Sequence, residues 1–156
     1  MQTSCPERLE LKSFFSILCL VLAGCAAQPR VVFYQLNDLE RLTKKSLDRA
    51  VWENAVPLDK DVLNTPLSKD EYASYHLVQV RTQEKSHVHE NHDLAVFVQS
   101  GEGTMFLGKE SFKVRAGSVI FIRHGIVHYF VNEGPSPAAA IAVFSPPFDG
   151  KDIIFR

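Results

Sequence analysis

The sequence predicts an all-β domain, a sandwich or barrel of short strands, preceded by one amphipathic helix. Three observations carry this. From Tyr72 onward the hydrophobic period changes to two, in short β-rich runs. Gly101, Gly103 and Gly108, with charged residues around them, interrupt the first of these runs as hairpin turns do. Near the end, Pro135, Pro137, Pro146 and Pro147 separate the last strands from their neighbours, because proline cannot donate to a ladder.

The elements follow in order. Residues 14–23 form a short apolar run preceded by Arg8 and Lys12, too short to span a bilayer comfortably, and read as an export signal over residues 1–24. Its end, Leu22-Ala23-Gly24-Cys25, resembles the bacterial lipoprotein signal box, which implies that Cys25 is lipidated and becomes the mature N-terminus. Glu7 and Glu10 cancel the two basic residues ahead of the run, so a start at Leu9 or Leu11 would give a more usual signal. A tether over residues 25–34 leads to a helix from about Asn37 to Ala55. There Leu36, Leu39, Leu42, Leu47, Ala50 and Val51 recur near helical spacing, and Asn37 with Glu40 suits a capping box. The basic run 41–45 reads as a solvated face of that helix. Residues 57–70, with two prolines and many charges, read as a loop that closes a helix-and-loop unit spanning 35–70. The β domain occupies 71–148. Its candidate strands are 73–82, 94–99, 104–107, 111–114, 118–122, 127–132 and 138–144, and a tail over 149–156 crosses the outside.

At 156 residues and 46% hydrophobic content the chain is one domain plus an export segment. A net charge of -1 excludes nucleic acid as a partner found through bulk electrostatics. Of three cysteines, Cys5 and Cys19 leave with the signal and Cys25 is consumed by lipid, so no disulfide forms within the mature chain.

The histidines carry the chemistry. His87, His89 and His92 fall in HVHENHD, and His124 and His128 in RHGIVH, with His76 apart. In a strand, residues two apart share a face, so His87 and His89 both point inward while Val88 points away. That is metal-ligand geometry. His124 reads as an exposed turn residue and His76 as an ordinary strand histidine. Arg123 reads as a charge at a strand end. Neither Glu102 nor Tyr129 stands out as a proton-transfer group, and no Ser, Cys or Lys constellation for covalent catalysis is visible.

HVHENHDLAVFVQSG resembles the first motif of the cupin family, and GSVIFIRHGIVHYFVN the second, with Gly117, Gly125, His128 and Asn132 at the family's spacing. Arg81 replaces the first motif's opening Gly, and Arg123 the second motif's Pro. Leu94 stands where the Glu falls by counting back from Gly101. The resemblance implies a cupin-type small β-barrel, a double-stranded β-helix or jelly roll, holding one divalent metal through His87, His89 and His128. Asp93 satisfies the count from the histidines and is the first choice for the fourth ligand. His92, which shares the parity of Leu94, is the rival, and a three-His site with water comes third.

An envelope protein acquires its metal outside the cytoplasm, where Zn and Cu outcompete weaker binders for nitrogen ligands, so Zn or Cu is favoured while Fe, Mn and Ni remain compatible. Two functions fit: a metal-dependent enzyme on a small carbonyl, carboxylate or sugar-like molecule, or a non-catalytic module that binds a small ligand or metal. The lipid anchor implies a membrane partner at the periplasmic face of the outer membrane. The family resemblance implies a homodimer.

Overall fold

Alternation becomes sheet over most of the chain in a computed structural model, which describes residues 32–36 and 42–156. The signal segment, Cys25 and the Asn37/Glu40 cap lie outside the described residues. Val32–Leu36 (β1) and Leu42–Ser46 (β2) pair antiparallel as a separate ribbon, and Leu47–Glu53 forms helix α1. The tether and helix are corrected accordingly. Aromatic and β-branched residues start β1, and pairing with it draws Leu42 to Ser46 into a strand where local spacing predicted helix.

The remaining strands are β3 (Val62–Lys69), β4 (Ser74–Val80), β5 (His87–Val88), β6 (Asp93–Ser100), β7 (Glu102–Leu107), β8 (Glu110–Arg115), β9 (Val119–Ile122), β10 (His128–Asn132), β11 (Ala138–Ser145) and β12 (Ile154–Phe155). They form two antiparallel five-stranded sheets, in the orders β12-β5-β10-β7-β8 and β3-β4-β11-β6-β9. All seven candidate strands are present. Strand β3 corrects the reading of 57–70 as loop. It lies at a sheet edge, and its register shifts between Pro66 and Ser68, the setting in which a strand tolerates proline. Strand β12 places the end of the tail against β5 as an edge strand.

The mostly β architecture is as expected, but the hydrogen-bonded ladders do not close into a barrel. Instead the two sheets share a core. Leu94, Val98, Ile120, Ile122, Ala142 and Phe144 from one meet Met105 and Val114 from the other. Such burial contributes about 1.5–3 kcal/mol per large side chain. Helix α1 covers the opposite face of the second sheet, with Leu47 and Ala50 against Leu77 and Ala139. Gln79 on that face donates to the Asn54 carbonyl at 2.6 Å, fixing the helix end. Between β6 and β7 the chain turns at Gly101, whose φ of 86° suits glycine and strains other residues.

Candidate metal centre

The two histidine motifs meet through strand pairing. His87 on β5 and His128 on β10 are direct antiparallel partners, so their side chains stand on one face, and His89 follows two residues along. The turn before β10 is tied to the same segment, because the Gly125 N–H donates to the His89 carbonyl at 2.7 Å. The result is a cluster of three buried imidazoles, each offering a ligand nitrogen within 4.8 Å of the others.

The hydrogen bonds of this cluster define its chemistry. His87 Nδ1 donates to the Lys85 carbonyl at 2.7 Å, His89 Nδ1 to the Asp152 carbonyl at 3.0 Å, and His128 Nδ1 to the Ile126 carbonyl at 2.9 Å. A carbonyl only accepts, so each proton sits on Nδ1 and each Nε2 keeps a free lone pair. Backbone carbonyls that orient ligand imidazoles in this way are a regular feature of metal sites. Burial, reinforced by the neighbouring His87, lowers His89 to about 4. Burial likewise lowers His128 to about 4, against the opposing pull of the Ile126 carbonyl. Both are neutral donors at neutral pH, as a metal requires. The donor set fits one divalent ion.

The expected fourth ligands are placed elsewhere. Asp93 corrects the first choice: alternation turns it outward while Leu94 turns in. Its side chain is 52% exposed, and one oxygen accepts from His124 Nδ1 at 2.7 Å and from the His124 N–H at 2.8 Å. Those bonds hold the Asp93 carboxyl below its usual range. His124 is thus the exposed turn residue that the sequence indicated. His92 is buried and inward, yet it is not part of the three-imidazole cluster; Nδ1 pairs with the Asp152 carboxylate and Nε2 lies 3.3 Å from the Pro147 carbonyl. His76 is a satisfied strand histidine between Asn64 and Ser74. Tyr129 stacks on Phe106 with ring centroids 4.4 Å apart, and Glu102 is exposed.

The departures from the family pattern have local reasons. Arg81 reaches back to the carbonyls of Val56, Pro57 and Leu58 and pins the segment before β3. Asn132 donates to the Arg81 carbonyl at 2.8 Å, linking the end of the second motif to the start of the first.

Two residues that sequence reasoning missed complete the site. Asp152, in the tail, is buried. Its carboxylate accepts from Glu90 N (3.1 Å), Asn91 N (3.0 Å), Asn91 Nδ2 (3.0 Å) and His92 Nδ1, clamping the loop that follows His89. Burial alone would raise this carboxyl, but the bonds from His92 and Asn91 prevail and hold it down to about 2. Glu84 accepts from the Phe130 N–H at 2.9 Å. Burial pushes its carboxyl up, against the pull of His87 and the Phe130 N–H. No periodicity signals either residue: Glu84 precedes β5 in irregular backbone, and Asp152 is 63 positions from His89.

Glu84 and the three histidines line one cavity of about 490 Å³ that runs between the sheets. Its depth is aliphatic and aromatic, with Val96, Val98, Met105, Ile120, Ile122 and Phe130 among its walls. Charged residues, including Lys60, Asp61 and Lys85, lie exposed at its edge.

Comparisons with known proteins agree with this anatomy. The Cupin domain family matches residues 74–144, the stretch from β4 to β11 that carries both histidine motifs. An uncharacterized protein of Aquifex aeolicus is 32% identical over 120 residues, covering 77% of this chain and 91% of its own length. Among solved structures, TT1209 of Thermus thermophilus is 27% identical with a TM-score of 0.57, over 67% of this chain and 97% of that one. A Klebsiella pneumoniae protein with a double-stranded β-helix domain is 22% identical, also with a TM-score of 0.57, over 67% and 92% of the two chains. The stretch that carries both histidine motifs thus matches the Cupin domain family, and the fold around it is shared with TT1209 and with the Klebsiella double-stranded β-helix protein.

Proposed function

We propose that this protein is a metal-dependent enzyme that holds one divalent ion at His87, His89 and His128 and acts on a small carbonyl, carboxylate or sugar-like molecule in the adjoining cavity. The observation that carries the reading is the convergence of three buried imidazoles whose Nδ1 atoms are all committed to backbone carbonyls. Three protein ligands leave positions for water and substrate. A bound ion supplies Lewis acidity to a carbonyl or carboxylate oxygen. The aliphatic walls exclude water from the reacting groups, and Glu84, protonated more readily than an exposed carboxyl, holds or accepts a proton on the same cavity wall. An all-nitrogen set in the envelope supports Zn or Cu over Fe, Mn or Ni.

The Leu22 to Cys25 box supports attachment to the outer membrane by lipid, facing the periplasm; labelling with a radioactive fatty acid, abolished by Cys25→Ser, tests it. A homodimer is supported by the exposed sheet face at Phe97, Val119 and Phe121, the last 74% exposed, and light scattering tests it.

The first experiment is elemental analysis of protein purified without chelator or affinity-metal resin, beside His87→Ala/His89→Ala. Near-stoichiometric metal, lost in the variant, is expected; a metal-free parent that also resists reconstitution overturns the reading. A non-catalytic ligand sensor is the second reading, favoured by the apolar cavity walls. Glu84→Gln separates the two, since an enzyme loses turnover while keeping its ligand, and a sensor shows no turnover to lose.

A further inference from the structure

The cavity narrows the ligand beyond its general size. Apart from the three imidazoles, the one ionisable side chain among the described lining residues that is not exposed is Glu84, which is half-buried; the other charged lining residues, Asp59, Lys60, Asp61 and Lys85, are exposed at the edge. The two amides of the lining, Asn64 and Gln83, are exposed as well, and the Asn64 Oδ1 accepts from His76. Leu94, which stands in the family's carboxylate position, is a buried aliphatic core residue and lines the cavity too.

A polyhydroxylated ring in this space would press most of its hydroxyls against valine, isoleucine and methionine side chains. A hydroxyl desolvated without a partner weakens binding by about tenfold or more. A saturated or aromatic ring loses nothing there and gains from each methylene removed from water. One end of the cavity differs. There, an all-imidazole ligand set brings no carboxylate to a bound divalent ion, and Glu84 is the one acid on the wall that is not exposed, which suits a single oxygen head, anionic above all. We propose that the ligand is a compact apolar carboxylate, with its carboxylate at the histidine cluster and a hydrocarbon body between the sheets, and that sugars and sugar acids are rejected. The inference rests on the metal-centre reading above and selects among the substrate classes that reading admits.

The test is isothermal titration calorimetry of the full mature protein with a matched pair, cyclohexanecarboxylate and its tetrahydroxylated counterpart quinate. Both are titrated into zinc-loaded protein, and the zinc titration itself is recorded first. Cyclohexanecarboxylate is expected to bind the zinc-loaded form at least about 100-fold more tightly than quinate, two unpartnered hydroxyls being enough for that ratio. Chelation of the zinc should weaken it at least tenfold. If zinc binds one per chain yet quinate binds as tightly, or neither carboxylate binds, the ligand assignment is overturned while the metal centre stands. If neither zinc nor copper titrated in its place binds, the metal-centre reading fails, and the ligand assignment with it.

Discussion

Asp152→Asn tests whether the C-terminal tail holds the first histidine motif in place. The carboxylate accepts from four donors: Glu90 N, Asn91 N, Asn91 Nδ2 and His92 Nδ1. An asparagine keeps one acceptor oxygen and replaces the other with an NH₂ group, so in either amide orientation two of the four donors face a donor. A tautomer change at His92 relieves one clash and leaves the other. A buried donor without a partner costs about 1–3 kcal/mol, so we expect a net loss of about 2 kcal/mol at neutral pH, read from urea unfolding of the metal-free protein. The sign with pH is fixed. A carboxyl held down to about 2 contributes its stability above its unfolded value of 3.8 and loses it as pH falls from there through 2, so parent and variant should converge only in that window. Because the carbonyl of the same residue orients His89, displacement of the tail should also weaken zinc binding by about 10–100-fold in competition with a chromophoric chelator. An Asp152→Asn protein within about 0.5 kcal/mol of the parent, a difference typical of ordinary surface substitutions, and with unchanged zinc affinity would refute the reasoning.

The other predictions are narrower. His89 and His128, at about 4 in the folded chain against 6.5 unfolded, bind protons more readily when unfolded; metal-free stability is therefore full above pH 6.5 and falls towards pH 4, with each residue removing about 2 kcal/mol by pH 5. A flat profile of chemical unfolding between pH 7 and 5 contradicts those shifts. Gly103→Ala would place a Cβ 2.1 Å from the Val131 carbonyl oxygen and 2.6 Å from the Phe130 ring, where β7 pairs with β10; a loss of more than about 2 kcal/mol is expected in thermal unfolding, and a neutral result means the strands can part. Asp93→Asn should leave zinc affinity within about twofold, because the Asp93 side chain is 52% exposed and bonds His124 outside the three-imidazole cluster, so its loss removes a surface contact and no ligand. A tenfold loss would return Asp93 to the ligand set.

What the sequence showed and what it hid divide along physical lines. Seven strands were legible because a period of two and their bounding glycines are local signals. Strand β3 was hidden by Pro66, which an edge position tolerates and a central one would not. Strands β5 and β12 have two residues each and exist through their partners, so no window of sequence contains them. The helix was overextended because Leu42 fits a helical face as well as a strand, and its pairing with Leu36 decided between them. In the site, His87, His89 and His128 were legible because HxH spacing puts both histidines on one face of extended backbone, even though the paired strand stops at Val88. Asp93 was misplaced because the count from the histidines takes no account of alternation, which turns Asp93 out where Leu94 turns in; among the pairings of β6 with its neighbours the register shift lies at its far end, near Ala139 and Ala140. Glu84 and Asp152 were not legible, since both act across long sequence separations from backbone outside the strands.

The exchange of a carboxylate for Leu94 links the metal site to the shape of its ligand. A carboxylate at that position would supply the set with a negative charge and would keep a polar group inside the cavity. Leucine removes both. The acids around the motif act outside the cluster instead, Asp93 with His124 on the surface and Asp152 with His92 behind the loop. Each pair fixes a turn next to a ligand histidine without adding charge to the ligand set. The three-imidazole set is thereby held in place but contains no carboxylate, so negative charge beside a bound divalent ion comes from Glu84 or from the ligand. A carboxylate head meets that demand, and the same leucine that creates it extends the apolar wall that a hydrocarbon body needs. Leu94→Glu should therefore act on both at once: it should relax the preference for cyclohexanecarboxylate over quinate and reduce the affinity for any anionic head. If either property changed without the other, the metal charge and the cavity wall would be independent features of this site.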